Sequence, residues 1–462
     1  MHQEKLPLKS DPYALSDEHT LSPPVSFVER LKFMGPGLIL TASVVGSGEL
    51  IATTLLGAKA GFIALWVILI SCFVKVLVQI EFGKCAIYSG HTTMEVFNRL
   101  PGPRIGRAGW AIWLWLLFMV PKMLQVGAII GAVAMVLNIT FPAFPVAVYV
   151  WPISLSAAVL VWVGGYRLIE RSCVGLILLF TLLTIASLIA LQFTEFAIVL
   201  DDVASGLSFQ LPKVLIPVAL GAFGITGIGG DEIMAYNYWL IEKGYASRAG
   251  KPNDTPEWRD RAKGWIRIMQ LDAVGSMVIY TVVTIVFYLL GAAVLHGAEA
   301  LPDGPNQLIL SLSRMYTESL GSWASSVFLA GAFVVLFSTV LAALGAWTRM
   351  FSDAFGQIGI INFKNPVERR KSIALLAFSL PLIWSVTFLF YQDPAFMIIV
   401  GGIATTLILF IVAYAAGWMR YRKLPLELKP GKVYDVLLWL SLTAIAGVGV
   451  YVAARTLGPL IG

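Results

Sequence analysis

Long apolar runs separated by short polar connections dominate the chain. Runs long enough to cross about 30 Å of hydrocarbon fall near residues 34–57, 62–88, 109–137, 145–163, 172–193, 211–241, 266–295, 323–347, 372–390, 394–418 and 434–454. The pattern predicts an all-α polytopic membrane protein of about eleven transmembrane helices, preceded by a polar tail over residues 1–30. Two of the runs carry polar interruptions. The first reads Val45-Gly46-Ser47-Gly48-Glu49 and the second Ile228-Gly229-Gly230-Asp231-Glu232. Aligned in register, Glu49 falls on Glu232 and Ala52 on Ala235. A glycine inside a helix costs roughly 1 kcal/mol relative to alanine, and a carboxylate at mid-membrane depth costs several kcal/mol unless it is answered. Gly46, Gly48, Gly229 and Gly230 are therefore the predicted helix breaks. Paired interruptions at matching places in two halves point to the binding site of an inverted-repeat transporter.

Charge supports the same layout. The connections after the second, fourth, sixth, eighth and tenth runs, together with the tail, hold most of the 33 Lys and Arg. The alternation predicts a cytoplasmic N-terminus and an outside C-terminus in the plasma (inner) membrane. It also favours an odd number of spans. Residues 31–195 and 208–420 then form two five-helix repeats of opposite orientation, and 430–457 an additional helix. Asn253-Asp254-Thr255-Pro256-Glu257 reads as a helix start, predicting a short amphipathic helix on the cytoplasmic face.

Composition narrows the function classes. The chain is 58% hydrophobic and 13% charged, about half the charge share of a soluble protein, with a mean hydropathy of +0.80. The net charge of +6 is accounted for by the loops and does not indicate nucleic acid. The first 30 residues lack an apolar core and do not read as a signal peptide. Cys72, Cys85 and Cys173 have no disulfide or zinc spacing. With 4 histidines, two of them in the tail, a His-based metal site or hydrolase is disfavoured. No Ser-His, Cys-His or HExxH arrangement points to an enzyme, and no cofactor is implied.

The chemistry-bearing residues cluster at the interruptions. Glu49, Asp231 and Glu232, with carbonyls near Val45, Gly46, Gly227 and Gly230, make an anionic all-oxygen set suited to a hard cation such as Mg²⁺, Mn²⁺ or Ca²⁺. The alternative is that the glycines serve helix packing and the carboxylates pair with lysines. Lys122 follows Pro121 in the third run and Lys75 lies mid-way along the second, near Gln79. Each either neutralises a carboxylate, stands as a fixed charge in place of a coupling ion, or forms a structural ion pair. Gln125 reads as a hydrogen-bonding group toward the site or to a neighbouring helix. Asp272 is either part of a permeation path or an acid near a helix start. Glu81 and Lys84 are spaced to pair locally. Glu170, between Arg167 and Arg171, reads as a gate or loop salt bridge, and His296 as a satisfied residue at a helix end.

Several short motifs resemble the NRAMP divalent-metal transporters. They are Gly35-Pro36-Gly37, Gly57-Ala58-Lys59-Ala60-Gly61-Phe62, Gln79 with Ser89-Gly90, Ala219-Leu220-Gly221, Gly224-Ile225-Thr226 and Leu271-Asp272. The resemblance covers roughly residues 30–420. It implies a LeuT-type 5+5 inverted repeat with broken first and sixth helices, and transport of Mn²⁺ or Fe²⁺ with protons. The chain departs from the family at the motifs that do this work. Where the family has Asp-Pro-Gly-Asn, this chain has Gly46, Ser47, Gly48 and Glu49, and the Met-Pro-His of the sixth span is replaced by Ile228-Gly229-Gly230. The family's acidic residues of the third span fall on Lys122 and Gln125. The departures favour a harder ion such as Mg²⁺ and leave proton coupling unsupported. The reading is thus a transporter of a small inorganic divalent cation in contact with membrane lipid. A small organic cation or amino acid on the same fold is the alternative cargo.

Overall fold

The computed structural model describes residues 11–253, 255–297 and 307–461, and their side chains except at 47, 164–179, 308, 453 and 455–461. The two interruptions resolve into different structures. The first run is helical throughout Pro36–Ala60 (α1). Pro36–Val44 is α-helical, Val45–Thr53 is a π-helix and Thr54–Ala60 returns to α. Gly46 and Gly48 are therefore not breaks, contrary to the sequence expectation. The chain stays helical here by widening its turns. The widening leaves a hydroxyl signature, since Thr53 Oγ1 lies 3.0 Å from the Gly48 carbonyl five residues back.

The second interruption is a true break. The helix Ile216–Ile225 (α5) ends at Thr226, whose backbone is extended. Gly227 has φ +75, a left-handed conformation that glycine adopts without the steric cost of a Cβ. Helix α6 then starts at Gly230 and runs to Lys243.

The remaining long helices are α2 (Leu65–Ser89), α3 (Trp110–Thr140), α4 (Val146–Leu191), α7 (Pro256–Leu295), α8 (Ala324–Ile358), α9 (Pro366–Tyr391), α10 (Pro394–Trp418) and α11 (Lys432–Ile461). Among the described residues, 10 segments are long and apolar enough to cross a membrane. The fourth and fifth expected runs share the helical stretch α4. Its Val146–Val163 portion meets the length of a span, and Phe180–Leu191 is a shorter apolar helix. The side chains of Arg167, Glu170 and Arg171 lie outside the described residues. The expected amphipathic helix is not separate. Thr255 Oγ1 accepts from Trp258 N at 3.3 Å to cap α7, and no proline stops that helix before it merges with the seventh run.

Burial orders these helices. In the most apolar window of α1, 94% of residues are buried, against 28% for α11, so α1 lies at the centre and α11 at the rim. Around the centre, α7 packs on α1 and α2, α10 packs on α3 and α5, and α6 packs on α2. Close approach requires small residues. A Cβ on Gly48 would sit 2.9 Å from the Ile225 carbonyl, and one on Gly224 would sit 2.1 Å from the Gly402 carbonyl. The tail residues 11–24 lie against the helix ends, with Tyr13 Oη donating to Glu242 at 2.7 Å and Asp11 pairing with Arg369 at 2.6 Å.

Candidate functional site at the helix break

Helix α6 begins inside the protein, so its first-turn N–H groups face apolar surroundings. Asp231 and Glu232 occupy that turn, where the helix dipole favours negative charge. Asp231 is buried and fully engaged. Its Oδ1 accepts from Lys122 Nζ at 2.6 Å and its Oδ2 from Trp347 Nε1 at 3.1 Å. Lys122 also donates to Thr405 Oγ1, and Thr405 Oγ1 lies 3.5 Å from Gln125 Oε1. Lys122 and Asp231 thus meet as a buried ion pair, and Gln125 turns to the same hydroxyl.

Glu232 is different. Its Oε1 lies 3.5 Å from Ser43 Oγ, its carboxyl adjoins that of Asp231, and its Oε2 is buried with no hydrogen-bond donor. A Cβ on Gly229 would lie 2.4 Å from Glu232 Oε2 and 3.3 Å from Asp231 Oδ1. The two carboxylates thus share the space above this glycine, and only glycine leaves room for them. A small cleft at this point is lined by Leu40, Ser43, Glu232, Trp239, Ala343 and Trp347, among others. It is walled by α1, α6 and α8, with two indole rings beside two acids.

Glu49 lies on the other side of the break. Its Oε1 accepts from Gly227 N at 3.1 Å and from Thr284 Oγ1. Its Oε2 accepts from Thr53 Oγ1 at 3.1 Å. Lys75, fully buried, donates to the carbonyls of Phe223 and Thr226, the latter at 2.8 Å. The Gly224 carbonyl is 3.4 Å away. These are the last carbonyls of α5, which have no partner within the helix. The ammonium answers them and complements the negative end of the dipole.

The expected convergence of three acids is therefore not what the fold builds. Asp231 and Glu232 adjoin each other, whereas Glu49 is engaged by its own donors across the break. Among the described residues, no group of three or more His, Cys, Asp or Glu is placed to hold one metal ion. The reason is local: each acid sits on a different backbone feature, Glu49 on the Gly227 N–H and the other two on the α6 start. Val45 and Gly46 are also displaced from the expected role. Both are buried in the widened helix, and a Cβ on Gly46 would meet Thr339 Oγ1 at 2.2 Å, so this face packs on α8. Gly227 forms the turn of the break and Gly230 opens α6 against Leu409.

Other candidates find structural places. Asp272 caps the start of α1, accepting from Gly35 N at 2.9 Å, Gly37 N at 2.7 Å and Tyr236 Oη at 2.9 Å. Glu81 and Lys84 pair at 2.6 Å as their spacing predicts, and Tyr434 Oη of α11 donates to Glu81 at 2.6 Å. His296 Nδ1 lies 3.0 Å from the Ala58 carbonyl, a satisfied helix-end histidine. Gln79, one turn beyond Lys75, is the residue the sequence reading undervalued. It is 0% exposed and neither of its amide atoms has a partner. Buried polar groups left so are uncommon.

Comparison with known proteins agrees with this architecture. The chain is 25% identical over 363 residues to a divalent metal cation transporter, MntH, of Latilactobacillus sakei, covering 76% of this chain and 73% of the relative. The fold resembles a manganese transporter of Eremococcus coleocola at a TM-score of 0.68 and 17% identity, over 97% of this chain and 91% of the other. It also resembles Mhp1, a nucleobase-cation-symport-1 family transporter, at 0.59 and 14% identity, over 94% and 95% of the two chains. The expected LeuT-type transporter fold is thereby shown, and the chain is not an enzyme. The sequence model of the natural resistance-associated macrophage protein-like (Nramp) family matches residues 37–455, and the chain belongs to that family.

Proposed function

We propose that the protein carries a divalent cation across the plasma membrane by alternating access, with Glu232 as the principal charged ligand of the cargo. The observation that carries this reading is the buried, donor-free Oε2 of Glu232 at the edge of the cleft between α1, α6 and α8. An anion left unanswered in a dry interior is costly, and a cation in the cleft removes that cost. Ser43 supplies a neutral oxygen beside it, and an oxygen donor set suits a hard ion of the Mg²⁺ or Mn²⁺ class. Asp231 contributes field and Lys122 offsets it. Glu49 acts as a positioning residue that fixes the break. Membership in a family that includes MntH transporters supports the cargo class. The N-terminus is assigned to the cytoplasm by the positive-inside rule. Uptake of Mn²⁺ and Mg²⁺ into proteoliposomes tests the reading: it is lost in Glu232→Gln, and uptake at the unmodified rate would refute it.

A second reading is favoured by one observation. Trp239 and Trp347 line the cleft beside Glu232, and indole rings near a carboxylate suit an organic ammonium through cation–π attraction. A thermal-shift panel separates the two, because cargo that binds the folded state alone raises the unfolding temperature. Stabilisation by amines or amino acids and not by metals selects the organic cargo.

A further inference from the structure

We infer that the end of α5 is a monovalent-cation site that this chain fills with its own Lys75 ammonium. The site is made of oxygens. The carbonyls of Phe223, Gly224 and Thr226 converge on Nζ, and Ser71 Oγ lies 3.0 Å from both the Phe223 and Thr226 carbonyls. Three carbonyl oxygens at one helix end around one compact cation, two of them also bound by a hydroxyl, form an oxygen cradle rather than a salt bridge. Among the described residues no carboxylate pairs directly with Lys75. The Phe223 ring adds a face 4.9 Å from Nζ. Nothing here requires a lysine specifically. A small ion of one positive charge satisfies the same oxygens, and a tethered one does so without a search through solution.

The consequence concerns coupling. A carrier that must take up a cation from solution to close its break responds to that ion's concentration. A carrier with a fixed ammonium at that point does not. This deepens the proposed transport function, but its first test needs no transport. The wild type and Lys75→Ala are purified in choline buffer, and thermal unfolding is followed against added Na⁺, K⁺ or ethylammonium. The wild type is expected to be indifferent to all three. Lys75→Ala is expected to unfold at a lower temperature and to regain most of the loss with one of them, saturably, by binding to the vacated oxygens. Lys75→Met, which fills the volume with an apolar stem, is expected to show no recovery. Loss in Lys75→Ala that none of the three ions reverses overturns the inference, as does recovery of equal size in Lys75→Met. If Lys75→Ala folds only when expressed and purified with the rescuing ion, the inference stands; failure to fold with each of the ions overturns it. The second test is in proteoliposomes, where metal uptake by Lys75→Ala gains a dependence on the rescuing ion that the wild type lacks. Absence of metal uptake by the wild type refutes the proposed cargo and leaves the unfolding result as the test of the site.

Discussion

Lys75 and Glu49 hold the two ends of a single peptide unit. The ammonium binds the Thr226 carbonyl at 2.8 Å, and the carboxylate accepts from the N–H of the next residue, Gly227, at 3.1 Å. The break in the sixth span is thus polarised between a buried cation and a buried anion. Its extended Thr226 and left-handed Gly227 persist inside the membrane because both exposed backbone groups are answered.

Glu49 and Glu232 are expected to respond oppositely to neutralisation. Glu49→Gln replaces a carboxylate that accepts from Gly227, Thr284 and Thr53, and each weakened buried hydrogen bond costs about 1–3 kcal/mol. Its unfolding temperature should fall by several degrees. Glu232→Gln removes a charge with no donor on Oε2 and should leave the unfolding temperature unchanged or raised while uptake is lost. Parallel melting and proteoliposome uptake check the pair. An equal drop in stability for both would contradict the division of roles.

The Lys122–Asp231 pair is buried on both sides. Removing one partner of such a pair costs roughly 3–5 kcal/mol, because the other is left uncompensated. Lys122→Met and Asp231→Leu should each destabilise strongly. The double variant should be more stable than either single one. Denaturation of the four proteins in one detergent measures this, and additive losses would show that the two charges are independent.

Gly37 lies against Asp272. A Cβ there would sit 2.8 Å from the Asp272 carbonyl and 2.7 Å from Ser276 Oγ, and the side-chain oxygen must stay within reach of Gly35 N and Gly37 N. Gly37→Ala should therefore lift the start of α1 off α7, and Asp272→Ala should produce the same effect without the clash. Loss of an anion at a partly buried helix start costs about 1–2 kcal/mol. The expected result is faster amide exchange over residues 35–40 in both variants. Exchange at the wild-type rate in Asp272→Ala would refute the capping role.

Gln79, like Glu232, is buried and carries atoms with no hydrogen-bond partner. Gln79→Leu removes two buried orphan groups, so it should be neutral or stabilising by about 1 kcal/mol. A role in the cargo path predicts that uptake nonetheless falls, through a raised KM. Unaltered KM and rate would assign Gln79 to packing alone.

Much of this was legible in one dimension. Hydrophobic length alone defines the spans, because about 20 apolar residues are needed to cross a bilayer whatever the fold. The residues that matter, Glu49, Lys75, Lys122, Asp231 and Glu232, stand out because ionisable groups inside such runs are rare and expensive. The i, i+3 pairing of Glu81 with Lys84 follows from helix geometry. What the sequence left open was partnership. Glycines and a carboxylate occur in both interruptions, yet one became a π-helix and the other a break. The difference rests on Thr226 and Gly227 being clamped by Lys75 and Glu49, residues more than 140 positions away in the chain. Likewise, whether an acid is a ligand or a cap depends on which donor the packing brings within about 3 Å. Asp272 met the N–H groups of α1, Asp231 met Lys122, and Glu232 kept an oxygen with no donor. Composition and periodicity select which residues enter the membrane, since transfer energy is a property of each residue. The tertiary fold decides which charges meet, since hydrogen bonding is a property of pairs.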